Sequence, residues 1–273
     1  MKKETRQEVV PCQTCPKAFM AEVTVYYLLG RVREVRPKEC PACRQDREAS
    51  EKRLAEEERQ LGLSTSRARW RRTCGIPEYM QDKNFDNFIP HLQRVVFKGV
   101  QKWVETFCEN PKRCPSLILW SEGYGVGKTH LAVAACNKII ESWEGRMCPV
   151  RFESGPGLVR RIRATYNPVP GQEPYHETEE MVYAQLRGVP LLVLDDVGKE
   201  KSSPHTREVY FYIIDERLKQ GLPVLITSNL PLEGTGSLEE LTGASVVSRL
   251  IGMCRGGVFE LKGADARRRE KRP

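Results

Sequence analysis

Beyond residue 74 the chain is punctuated by three short apolar runs that do not alternate with polar residues: Leu117-Ile118-Leu119-Trp120, Leu191-Leu192-Val193-Leu194 and Val224-Leu225-Ile226. Runs of this length suit strands covered on both faces, as in a parallel sheet. Between them lie helix-like segments. Residues 130–143 are rich in Ala, Leu and Ile, residues 158–166 and 179–186 are shorter, and residues 206–219 place Val209, Tyr212, Ile213 and Glu216 at helical spacing. Pro115, Pro149, Pro190, Pro204 and Pro223 each stand just before an expected strand or helix, where proline punctuates local structure. Strands alternating with helices predict an α/β fold.

The first 73 residues read differently. Residues 22–29, then Gly30, then residues 31–36 form two β-prone stretches around a glycine, which predicts a hairpin. Residues 46–73 carry dense mixed charge and almost no large apolar groups. That composition predicts a solvated helix and then a basic hinge, neither with a core face to bury. The expected division is therefore a small domain over 1–45, a charged helical linker over 46–73, and a globular domain over 74–273 ending in a basic tail.

Composition narrows the class. The 273 residues suffice for one large α/β domain and a small appendage. A 40% apolar and 29% charged chain suits a soluble protein, and no run approaches the ~18 apolar residues of a membrane helix. The amino terminus lacks the apolar segment of a secretory signal, so the expected location is cytoplasmic, with no membrane partner. Lys and Arg number 44 against 36 Asp and Glu, a net +8, which favours polyanionic partners. Ten cysteines in a chain of this size point to a reducing compartment with metal-bound and free thiols.

The strongest chemical signal is Ser121-Glu122-Gly123-Tyr124-Gly125-Val126-Gly127-Lys128-Thr129-His130, directly after an apolar run and directly before a helix. A turn built on three glycines lets backbone N–H groups face inward and cradle phosphate oxygens, helped by the positive end of the following helix. Lys128 is expected to reach the β- and γ-phosphates, and Thr129 to ligate Mg²⁺. Glu122 stands where the usual pattern has glycine, so its carboxylate is expected to point outward, with Gly123 absorbing the turn. Leu191 to Leu194 end in Asp195 and Asp196. Carboxylates closing a buried strand are costly unless they meet a cation, so Asp195 is expected to hold Mg²⁺ through water and Asp196 to orient or deprotonate the attacking water. Asn229 follows the third apolar run. Ligands gather at the carboxyl ends of parallel strands, which places Asn229 to hold that water or the γ-phosphate.

Cys12 and Cys15, and Cys40 and Cys43, are two C-x-x-C pairs separated by 24 residues. Four thiolates so spaced can close a tetrahedral, structural Zn²⁺ site, and a hairpin between them would bring them together in a zinc-ribbon pattern with a longer loop than usual. The rival, a dithiol redox site, would want a thioredoxin-like βαβ unit that the chain lacks here. Tyr26, Tyr27, Arg31, Arg33 and Arg36 suit a base-stacking surface and equally the charged outer face of a plain hairpin. Arg160, Arg161 and Arg163 are open to the same two readings. The other six cysteines show no paired spacing, and none of the histidines at 91, 130, 176 and 205 has a partner at ligand spacing.

Taken in order, Gly75-Ile-Pro, Asn84-Phe-Asp-Asn-Phe88, GYGVGKTHLA (123–132), LLVLDDVGKEK (191–201), LITSNLPLE (225–233), SRL (248–250) and Gly263-Ala-Asp-Ala-Arg267 resemble the AAA+ ATPases. Within them they are most similar to the DnaC/DnaI helicase loaders and the related IstB transposition ATPases, over about residues 74–270. The resemblance implies a five-stranded parallel P-loop sheet with little or no helical lid, since only 44 residues follow Asn229. It also implies ATP with Mg²⁺, nucleotide contacts along residues 123–130, and subunits that oligomerise around nucleotide. Arg249 matches the finger supplied in trans, which neutralises charge on the transferred phosphoryl, and Arg267 matches the sensor-2 arginine. An Asp at 196, one methylene shorter than the usual Glu, implies slow, switch-like hydrolysis. DnaI-type loaders carry an amino-terminal zinc domain that engages the helicase, so the function implied is ATP-dependent loading of a replicative hexameric helicase onto single-stranded DNA. The rival readings are a transposition-associated ATPase of the same fold and a non-catalytic, zinc-clasped nucleic-acid-binding module.

Overall fold

Residues 2–28, 31–89, 93–166 and 177–266 are described by the computed structural model. The chain divides into two compact units, Met1–Thr65 and Ser66–Pro273.

In the first unit, β1 (Lys2–Pro11), β2 (Ala18–Leu28) and β3 (Arg31–Val35) form an antiparallel sheet in the order β1-β2-β3. The β2–β3 pairing, from Thr24 opposite Val35 to Leu28 opposite Arg31, is the hairpin expected around Gly30. β1 was not foreseen. Its residues KKETRQEVVP carry no apolar alternation, and it is held by a ten-residue ladder to β2 rather than by local propensity. Among the described residues, Val10, Ala21, Val23 and Val25 are the buried apolar ones of this sheet.

α1 (Pro41–Thr73) is one continuous helix, opened by proline at a position where a missing N–H costs nothing. Along its exposed length it carries pairs such as Arg47–Glu51 at 2.7 Å and Arg59–Glu56 at 2.9 Å, of the kind that support solvated helices. The division between units falls within it. The basic stretch read as a hinge is helical through Thr73, and Trp70 in it is buried in the core of the second unit. The expectation that nothing here buries a core face is thus corrected: one large aromatic suffices to dock a turn of helix, and residue-averaged charge conceals it.

The second unit contains α2 (Arg94–Glu109), β4 (Leu117–Trp120), α3 (Lys128–Ser142), β5 (Val150–Ser154), α4 (Gly155–Ala164), α5 (Glu179–Gly188), β6 (Leu191–Val197), α6 (Pro204–Gln220), β7 (Val224–Ser228), α7 (Leu238–Thr242), α8 (Ala244–Cys254) and β8 (Val258–Glu260). Its five strands are all parallel, in the order β5-β6-β7-β4-β8. Side chains alternate across the sheet. Leu117, Leu119, Leu191, Val193 and Leu225 enter one core with α2 and α3. Ile118, Leu192, Leu194, Val224 and Ile226 enter the other, with α4 to α8. Both faces are covered, which is why the strands read as unbroken apolar runs. The inward face of α6 is Thr206, Val209, Tyr210, Ile213, Ile214 and Arg217. Of the residues read at helical spacing, Val209 and Ile213 lie on that face, Tyr212 packs partly buried against the same core, and Glu216 is half-buried beside it.

Arg217 is fully buried. Nη1 donates to the carbonyls of Leu186 at 2.7 Å and Val189 at 2.9 Å, and Nη2 to those of Pro190 at 3.2 Å and Pro223 at 2.7 Å. Burial lowers its guanidinium to about 9. The carbonyl dipoles compensate this charge, and they belong to the residues that lead into β6 and β7. Arg217 therefore ties together the entrances of the two strands whose far ends carry the polar site. Among the described residues no helix is long and apolar enough to cross a membrane.

Candidate functional site

β4 runs into the loop 121–127, and α3 begins at Lys128. Gly125 (φ 68°) and Gly127 (φ 102°) take left-handed conformations that a side chain would strain. Gly123 does not, so the turn expected there is absorbed two and four residues later. A Cβ at Gly127 would come within 2.6 Å of the Phe88 ring, which stacks on Phe97 with centroids 5.7 Å apart and so supports the loop from one side. A Cβ at Gly125 would fall within the Asp265 carboxylate, and Ala266 N–H donates to Gly125 O at 3.1 Å. Asp265 and Phe88 both lay inside quoted motifs, yet nothing in their spacing marked them as walls of the loop. Glu122 is exposed, as expected, as is Tyr124 at the loop's tip, while Val126 is buried. His130 turns to Asn84 O at 3.0 Å and packs edge-on against Phe88. Burial lowers its pKa.

The Lys128 side chain is buried, with Nζ donating to Gly123 O at 2.8 Å and Ser121 O at 3.3 Å. Its charge therefore lies inside the loop. Thr129 Oγ1 donates to Asp195 Oδ1 at 2.9 Å, and Thr227 Oγ1 donates to the same oxygen at 2.5 Å. Three strand-ends meet here because β4, β6 and β7 are parallel neighbours. Burial pushes the Asp195 carboxyl up, against the opposing pull of the Thr227 hydrogen bond. An oxygen-only pair such as Thr129 and Asp195 is the donor set that Mg²⁺ accepts.

Asp195 and Asp196 part company at a bulge. The β6–β7 register shifts between Leu194 and Val197, and Asp196 takes φ 54°, a conformation that aspartate tolerates better than most residues. Its N–H donates to Thr227 Oγ1 at 2.9 Å and its carboxylate pairs with Lys199 at 2.6 Å. Thr227, fully buried between the two acids, is the residue that sequence reasoning passed over; its signal was the hydroxyl in Thr227-Ser228-Asn229. Asn229 follows β7, half-buried, and its side chain makes no hydrogen bond among the described residues.

Arg249 lies apart from this cluster, on α8. Its Nε donates to Asp215 Oδ1 at 3.0 Å, its guanidinium lies 4.8 Å from the Phe211 ring centre, and its side chain is 32% exposed. Arg161 is bound to Glu153 at 2.6 Å and Glu177 at 2.5 Å, so only Arg160 and Arg163 of that basic group remain exposed to solvent without an ion pair among the described residues. Arg267, His91 and His176 lie outside the described residues.

The sulfurs of Cys12, Cys15, Cys40 and Cys43 all lie within 4.8 Å of one another. Four thiolates at ~2.3 Å from one zinc stand about 3.8 Å apart, and the Cys15 and Cys40 sulfurs are 3.8 Å apart. The N–H groups of Cys40 and Thr14 point at Cys12 Sγ at 3.3 and 3.4 Å. These contacts lower the Cys12 thiol to about 6, while hydrogen bonding with Cys15 pushes Cys43 up. The quartet can hold a metal ion, and it is the only such group among the described residues. The other six cysteines take no part in it.

A five-stranded parallel sheet with a glycine loop, a buried lysine and an acid-closed neighbouring strand defines the AAA+ P-loop fold. Residues 107–273 match the IstB-like ATP binding protein family, and the chain belongs to it. It is 28% identical over 178 residues to the replicative helicase loader DnaC of Buchnera aphidicola subsp. Acyrthosiphon pisum, covering 64% of this chain and 66% of that relative's length. Among solved structures it is similar to the DnaC helicase loader (26% identity, TM-score 0.55, 68% of this chain and 100% of the other). It shares the fold of DnaI (21% identity, TM-score 0.53, 68% and 95%).

Proposed function

We propose that this chain is a Mg²⁺-dependent ATPase that assembles around ATP and loads a replicative hexameric helicase onto single-stranded DNA in the cytoplasm. The observation that carries the reading is the meeting of Thr129 and Asp195 at 2.9 Å beside the buried Lys128, at the carboxyl ends of parallel strands. Residues 123–130 would wrap the nucleotide tail, with Lys128 on its terminal phosphates. Mg²⁺, when bound between Thr129 and Asp195, would neutralise charge between the outer phosphates. Asp196 would release Lys199 to orient the attacking water together with Asn229, and Arg249 would leave Asp215 to reach a neighbouring subunit's nucleotide. Arg267 would act as the sensor-2 arginine on the bound nucleotide. The cysteine quartet would hold Zn²⁺ structurally and shape the amino-terminal unit for the helicase, with the exposed part of α1 ahead of Trp70 as the linker.

Hydrolysis is expected to be slow, and a steady-state turnover above ~10 per second would contradict a switch. Lys128→Ala is expected to abolish both fluorescent-nucleotide binding and helicase loading on circular single-stranded DNA. If both survive, the reading is wrong. The family's IstB name supports a second reading, a transposition-associated ATPase. Pull-downs against hexameric helicases, with and without ATP, separate the two.

A further inference from the structure

The amino-terminal sheet has two unlike faces, a difference that only strand register reveals. Residues opposite one another in an antiparallel pair share a face. On one face, Val23 and Val25 are buried. Charged neighbours there cancel one another: Arg6 and Arg36 each pair with both Glu8 and Glu34 at 2.7–3.3 Å. Tyr27 belongs to this face too, and its hydroxyl donates to Glu4 at 3.1 Å.

The other face is open. Lys3 stands opposite Tyr26 and Tyr26 opposite Arg33, so the three form one row across all three strands. Lys3 and Arg33 are exposed and Tyr26 is half-exposed. With strands about 4.8 Å apart, a cation flanks the aromatic ring on each side. Arg31 adds a third cation in the next row. Among the described residues none of Lys3, Arg31 and Arg33 makes an ion pair, and Glu22 is the one acid on this face. A flat ring between two uncancelled cations is complementary to a polyanion whose repeating units present planar faces. Exposed Val9, Met20 and Val35 share this face, so a protein partner is the rival outcome that the test separates.

We propose that this face binds single-stranded nucleic acid, with a base stacked on Tyr26 and the flanking phosphates met by Lys3 and Arg33. The proposal concerns the amino-terminal unit alone and does not rest on the loader reading.

The test uses the full-length, zinc-loaded protein without nucleotide, in the Lys128→Ala background, so that failure of the ATPase reading leaves it untouched. Anisotropy of a labelled oligothymidylate of about 20 nucleotides gives affinity against salt. Tyr26→Ala is expected to weaken binding roughly tenfold. The Lys3→Gln, Arg33→Gln double variant should lower the logarithmic salt slope by about 1.4. Tyr27→Ala, on the opposite face, should stay within about twofold of the parent. Zinc content and far-ultraviolet circular dichroism check that each variant folds, and photo-crosslinking of an iodouridine oligonucleotide should map to residues 18–35. The proposal is overturned if the Tyr26 and double variants keep the parent's affinity and slope, or if crosslinks fall only in residues 66–273. It is equally overturned if these variants lose helicase capture while retaining the oligonucleotide, which would make the face a protein-docking surface.

Discussion

Replacing Thr227 by valine removes one hydroxyl and nothing else of size, at a fully buried position that touches both acids of β6. Two interactions go. The hydroxyl's donation to Asp195 Oδ1 at 2.5 Å is a bond to a charged acceptor, of the order of 1.5–3 kcal/mol. Its acceptance of the Asp196 N–H at 2.9 Å is a bond to a half-buried donor, of the order of 1 kcal/mol. Together they predict a loss of about 3 kcal/mol, which in a unit of about 200 residues lowers the melting temperature by roughly 6–12 °C. The functional effect is separable. On the proposed reading Thr227 acts through Asp195, as a positioning residue, and losing such an outer partner typically costs about 10–100-fold in metal affinity. Thr227→Val should therefore need that much more Mg²⁺ for half-maximal hydrolysis, whereas Thr227→Ser, which restores the hydroxyl, should return both properties towards the parent. Thermal unfolding by circular dichroism and Mg²⁺ titration of phosphate release provide the measurements. A Thr227→Val protein that melts within about a degree of the parent with an unchanged Mg²⁺ requirement would refute the assignment of Asp195 to the metal and of Thr227 to its support.

Three further outcomes are expected. Arg249→Ala breaks a half-exposed ion pair, so stability should change by less than about 1 kcal/mol while hydrolysis falls at least about 10³-fold. Mixing it with Lys128→Ala subunits should restore activity if the arginine acts in trans, and an unchanged rate in the single variant would count against that role. Arg217→Lys keeps a cation but offers one nitrogen where two spanned five carbonyls. With two left unpaired it should lose roughly 2–5 kcal/mol in urea unfolding, and an unmoved midpoint would dismiss the clamp. The full chain should carry about one zinc, lost in the Cys15→Ser, Cys43→Ser double variant. Chelation should unfold the first unit and spare the second, and an undiminished zinc content in that variant would place the metal elsewhere.

Much of the phosphate loop was legible because its chemistry is contiguous. Glycines that must take left-handed angles, a lysine and a threonine have to follow one another in the chain, and the strand before them has to be apolar on both faces. β8 and α2 went unread although the fold needs them, and β5 was marked only by the proline before it. Val150–Ser154 alternates buried and half-buried residues before ending exposed, and β8 has three residues, too few for periodicity to register. α2 spreads Val96, Val100, Trp103, Val104 and Phe107 along one face, a readable helix pattern masked by the charged residues between them. Trp70 was missed and Arg217 drew no notice, because average polarity says nothing of the single side chain that turns inward.

By itself, then, the amino-acid order determined the kind of chemistry this protein can attempt: a phosphate cradle, an acid-closed strand and a quartet of thiols, each encoded by neighbours in the chain. Tertiary structure alone decided which oxygen Thr129 and Thr227 share, which residue walls Gly125, and which tyrosine of an adjacent pair stands between free cations. Those contacts join residues far apart in sequence. They depend on strand order and on one-residue register, where a single step moves a side chain to the opposite face of a sheet, and local composition does not encode that step.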